Sequence, residues 1–110
     1  MNVQHKDLAA GRWAKMPLCA QIANVGSEVS RALNWREKGN DDFSQKALER
    51  ALELLDLTIS SVKTYPRLKE LVRVREGLVD FFCGENLFCS SEILWRKYFD
   101  HFNYAARKDT

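Results

Sequence analysis

Four stretches of this chain repeat apolar side chains every three or four positions, and short clusters of Pro, Gly, Asn and Ser interrupt them. Such segments must hide one face each, and with connections this short they pack as neighbours running up and down. The first is expected over about 17–38, with Pro17 in its opening turn and Gly39 in the left-handed position that closes it. Leu18, Ile22, Val25, Val29 and Ala32 line one face, and Arg36 marks where that face reaches water. Beside them Cys19, Ala23, Gly26 and Ser30 form a stripe of small side chains that lets a partner helix approach closely.

The second segment, about 42–62, follows the oxygens of Asn40, Asp41 and Asp42, and Asp42 with Gln45 has capping-box spacing. Ala47, Leu48, Ala51, Leu52, Leu54, Leu55, Ile59 and Val62 make its core face. The third, about 66–83, has Thr64 as a cap, Pro66 in its first turn and Gly84 as its stop. Its apolar face reads Leu68, Leu71, Val72, Leu78, Val79 and Phe82, with Arg75 among them. The fourth, about 91–107, is capped by Ser90 or Ser91 and carries Leu94, Trp95, Tyr98, Phe99, Phe102, Ala105 and Ala106. No alternating run suggests a strand, so the expectation is an all-α, antiparallel up-down four-helix bundle forming a single domain over 1–110. Leu8 and Trp13 are expected to pack across its open end.

Composition agrees with a folded chain: 45% of the 110 residues are hydrophobic and 29% charged, enough apolar surface to offset ordering the backbone. No run approaches the roughly 20 apolar residues that span a bilayer. The opening residues lack the apolar core of a secretory leader, so the expected location is cytoplasmic. Cys19, Cys83 and Cys89 are odd in number with no CxxC pair, and read as reduced, mostly buried thiols. The net charge of +2 does not by itself imply nucleic acid, but an acidic stretch at 41–60 is followed by a basic one at 63–75.

Little in the sequence points to catalysis. His5 and His101 are the only histidines, no ExxH or HExxH motif occurs, and no metal or other cofactor is expected. Glu28, Glu53, Asp56 and Asp80 sit where helices meet, and pairing with Arg31, Arg50 or Arg75 explains them better than acid/base work. Asp56, between Leu55 and Leu57, needs a partner such as Asn24 or Arg75. Cys83 and Cys89 flank a turn with His101 one helix away, a pairing better read as incidental. Lys63, Arg67, Lys69 and Arg73 are the nucleic-acid-binding candidates, and Trp35, Trp95, Phe99 and Phe102 the interface candidates.

Arg96 and His101 have the Arg-x4-His spacing seen in ribonucleases of the higher-eukaryote-and-prokaryote nucleotide-binding family, which the chain resembles also in size and helical content. That resemblance implies that the Arg96 guanidinium steadies phosphate charge while the His101 imidazole moves a proton during RNA cleavage. On a straight helix, however, five positions leave the two side chains about 140° apart. A broader resemblance runs through Asn24-Val25-Gly26-Ser27-Glu28-Val29, Trp35 to Asn40, Arg50 to Ile59, and Tyr104-Ala105-Ala106-Arg107. These strings resemble a family of roughly 100-residue prokaryotic helical proteins without an established biochemistry. It implies a shared bundle and no activity for Glu28, Arg50, Asp56 or Arg107.

The expectation is therefore a small, non-enzymatic helical interaction protein that forms a homodimer or binds another protein. Nucleic-acid binding or RNA cleavage is the alternative.

Overall fold

The computed structural model describes residues 12, 13 and 15–108. Among the described residues it has four long helices: α1 (Leu18–Glu37), α2 (Asp41–Ser61), α3 (Tyr65–Cys83) and α4 (Glu92–Lys108). They form an up-down antiparallel bundle in which α1 packs against both α2 and α4, and α2 against α3. Leu8 lies outside the described residues.

The helix ends follow from local chemistry. Pro17 stands just ahead of α1 in an extended conformation, one position earlier than a first-turn proline. Gly39 has a φ of 78°, the left-handed turn that reverses the chain into α2. Asn40 caps α2, its side-chain oxygen accepting from the Phe43 amide at 3.0 Å, so the helix starts ahead of the Asp42 capping box. Thr64 precedes α3 without a capping hydrogen bond, contrary to expectation, and Pro66 supplies the start instead. Ser91 opens α4 by accepting from the Leu94 amide at 3.2 Å.

The core is contributed by every helix: Ile22, Val25, Val29 and Leu33 from α1, Leu54 and Leu55 from α2, Leu71, Val74 and Leu78 from α3, and Trp95, Phe99 and Phe102 from α4. Each such aliphatic or aromatic side chain taken from water contributes roughly 1.5–3 kcal/mol, which is why the apolar faces dictate the bundle. The small stripe on α1 performs the expected task. A Cβ on Gly26 would lie 2.7 Å from the Cβ of Phe99, so α1 and α4 meet there only because that side chain is missing. Between α1 and α2, the Ser44 hydroxyl donates to the Ala32 carbonyl at 2.8 Å beside buried Ala47 and Leu48.

At the end of the bundle where α1 begins and α2 finishes, Trp13 is buried against the core. Its indole Nε1 donates to the Thr58 hydroxyl at 3.2 Å, and Gln21 donates to the carbonyls of Trp13 and Met16 at 2.8 and 3.1 Å. The polar atoms that burial would otherwise leave unsatisfied are thereby paired.

Three expectations about side-chain direction are corrected. Val72 and Leu94 face water, and Val74 and Trp95 take the inward positions. Leu71 and Leu78 on α3 and Trp95, Phe99 and Phe102 on α4 are buried as expected, the indole of Trp95 lying against Gly77. Cys83 and Cys89 are exposed and Cys19 half-buried, so the thiols are not mostly buried. All three are free.

Candidate functional site at the corner between α3 and α4

The connection from Cys83 to Glu92 is built around two polar side chains. The Asp80 carboxylate, in the last turn of α3, accepts from the amides of Leu87 at 2.8 Å and Phe88 at 3.0 Å. Asn86 holds the other half: its side-chain oxygen accepts from the Ser90 amide at 3.0 Å and its amide donates to the Ser90 carbonyl at 2.9 Å. The Ser90 hydroxyl in turn accepts from the indole Nε1 of Trp95 at 3.1 Å, fastening the loop to α4. Asn86 and Cys89 have left-handed φ values of 56° and 53°. For a non-glycine residue that conformation is uncommon, and Cys89, without a short polar side chain to favour it, is held there by its surroundings.

This scaffold does not bury its apolar side chains. Leu87 is 75% exposed, Phe88 62%, Ile93 65% and Leu94 56%. Ordering a loop costs about 1–2 kcal/mol per residue in backbone entropy, and here the ordering displays oily groups to water. Beside them lies a concavity of about 450 Å³ lined by Arg73, Glu76, Gly77, Phe88, Ser90 and Trp95. A Cβ on Gly77 would come within 3.0 Å of the Trp95 ring, so glycine there sets how deeply the indole sits. Arg73 and Glu76, one turn apart on α3, form no ion pair with any described residue. No sequence periodicity marks this loop. Its signals are the adjacent pair Leu87-Phe88 in a polar stretch and the Asn86-x3-Ser90 spacing of an Asx-type closure.

The residues singled out from the sequence are distributed differently. Trp95, Phe99 and Phe102 are 9%, 3% and 8% exposed and anchor the protomer's own core, Trp95 also lining the concavity beside Phe88. Trp35 is half-buried, its ring meeting Phe43 edge-on at 4.9 Å, with the Lys38 ammonium 5.1 Å above it. Phe43, Lys46 and Arg50 complete a small cleft around it. Arg96 donates to the side-chain oxygen of Asn34 at 2.9 Å and lies 3.7 Å from Glu92, so it braces α4 against α1. His101 is exposed, with its ring against Phe102, and shares no contact with Arg96.

The basic candidates, Lys63 ahead of α3 and Arg67, Lys69 and Arg73 on it, stand in different settings. Lys63 and Arg67 share a concavity of about 440 Å³ at the Trp13 end, Arg67 being paired with Glu70 at 2.6 Å. Lys69 is exposed, and Arg73 belongs to the concavity beside Phe88. The carboxylates are taken up by structure. Glu28 receives both Arg31 and Arg50, Asp80 organises the loop, and Asp56, exposed on the surface, takes two hydrogen bonds from Arg75 at 2.7 and 3.3 Å. That pairing raises the Arg75 pKa further. Burial pushes the Tyr98 phenol above its ordinary range, and donation to Glu70 at 2.9 Å adds to the effect. Among the described residues no group of three or more His, Cys, Asp or Glu side chains is placed to hold a metal ion. None of the described helices is long and apolar enough to cross a membrane.

These features define a small all-helical bundle with a hydrogen-bonded corner that exposes Leu87, Phe88, Ile93 and Leu94. Comparison with protein-family models, curated proteins and solved structures finds no match for the chain.

Proposed function

We propose that this protein is a non-enzymatic protein-interaction domain that docks through the α3–α4 corner. The observation that carries the reading is the hydrogen-bonded loop holding Leu87 and Phe88 out in water. Leu87, Phe88, Ile93 and Leu94 gather within eight residues of sequence, and clustered apolar exposure of this kind marks binding surfaces. The carboxylates that a bundle enzyme would use serve ion pairs and a loop in this chain.

A photo-reactive residue in place of Leu87 tests this in cells that express the chain. It is expected to give one discrete covalent adduct, while the same residue in place of exposed Ser60 gives none. No adduct from position 87, or equal adducts from both positions, refutes the reading.

A phosphate-binding reading draws support from Lys63 and Arg67 sharing one concavity, with Arg96 and His101 as the residues of RNA cleavage. It requires RNA affinity that falls steeply with salt and cleavage that an Arg96→Ala/His101→Ala double variant loses. Salt-independent affinity, or equal cleavage by both proteins, excludes it.

A further inference from the structure

We infer that the occupant of the α3–α4 corner is a second copy of this chain, related by a twofold axis. The inference rests on the docking reading above and names its partner. Three features of the corner are complementary to themselves.

The first is charge. Arg73 and Glu76 lie on the rim of the same concavity, opposite in sign and without ion-pair partners among the described residues. In a twofold interface residue i of one copy meets residue j of the other and the converse also holds, so Arg73 of each copy faces Glu76 of the other. Two residues of opposite sign, one turn apart, are therefore complementary to their own copies across such an axis. The second is shape. The corner carries a projecting side chain, Leu87, next to a hollow whose wall is Phe88 and whose floor is Gly77 and Trp95. Antiparallel apposition of two such corners places each Leu87 in the other copy's hollow. The third is area. A stable interface removes roughly 800 Å² from each partner, with an apolar centre and a charged rim. Four large apolar side chains, each more than half exposed, supply such a centre, and Arg73 and Glu76 supply the rim.

The test is the mass of the purified full chain in solution across a dilution series, by light scattering and sedimentation, with circular dichroism confirming that each variant folds. Wild type is expected at twice the chain mass at high concentration and to dissociate on dilution. Leu87→Ser weakens the association by roughly tenfold or more. Arg73→Glu and Glu76→Arg each weaken it by about tenfold, since a twofold interface repeats every lost contact. The double reversal Arg73→Glu/Glu76→Arg brings the affinity back to within a few-fold of wild type, which no merely structural role for either residue predicts. A chain that stays monomeric overturns the inference. An adduct at position 87 of some mass other than two chains also overturns it while leaving the docking reading in place. A dimer indifferent to Leu87→Ser and to the charge reversals overturns it as well, because its interface then lies elsewhere.

Discussion

Gly26 sets how closely α1 and α4 can lie. A Cβ there would come within 2.9 Å of the Phe99 Cγ and 2.7 Å of its Cβ, an atom fixed to the α4 backbone that no rotamer change can move aside. Gly26→Val is therefore expected to lower the unfolding free energy by about 2 kcal/mol, the overpacking strain exceeding the small gain in helix propensity. Urea denaturation measures it, and an unchanged midpoint refutes the close approach. Tyr98 supplies a pH dependence. An unfolded tyrosine ionises near pH 10, and burial together with Glu70 raises the value in the fold. The contribution of Tyr98 is thus complete below about pH 10 and is lost as pH climbs toward the folded value. Thermal unfolding of wild type should fall more steeply above about pH 10 than that of Tyr98→Phe, and parallel curves would count against the buried phenol.

Among elements, the helices and their central stripes were legible in the sequence, and the margins of two apolar faces, at Val72 and Leu94, were not. Proline, glycine and Asn40 mark where segments start and stop through backbone chemistry alone, which requires no knowledge of neighbours. Where the broad face of α4 stops depends on its neighbours: Trp95 lies against Gly77 of α3 while Leu94, next to it in sequence, stays exposed. Away from the site, the sequence offered Asn24 or Arg75 as a partner for Asp56; Arg75 pairs with it although the carboxylate is exposed. The corner stayed hidden because its order comes from Asp80, Asn86 and Ser90 acting together across ten residues. That dependence is measurable. Asp80→Ala should speed hydrogen exchange at the Leu87 and Phe88 amides by at least roughly tenfold while leaving the α1 and α2 amides unchanged. Equal exchange in the two proteins would mean that the loop is held by other means.

For the whole molecule, one pattern accounts for the bundle: four faces, each too apolar to leave in water, closed upon one another. Its two ends differ. At one, Trp13, Gln21, Thr58 and Ser61 form a closed set of hydrogen bonds around a buried ring. At the other, the α3–α4 loop is equally well bonded and yet leaves its apolar side chains outside. The contrast places the exposed apolar groups at one pole of the bundle, with the concavity beside them running down the flank of α3 to Arg73.

Cys83 and Cys89 bracket that pole, both exposed, whereas Cys19 is half-buried near the opposite one. The native chain thus carries its own pair of chemical handles beside the surface of interest. A thiol-reactive dye would attach at the corner first and, without any substitution, report by its colour or its rate of attachment when that surface is covered.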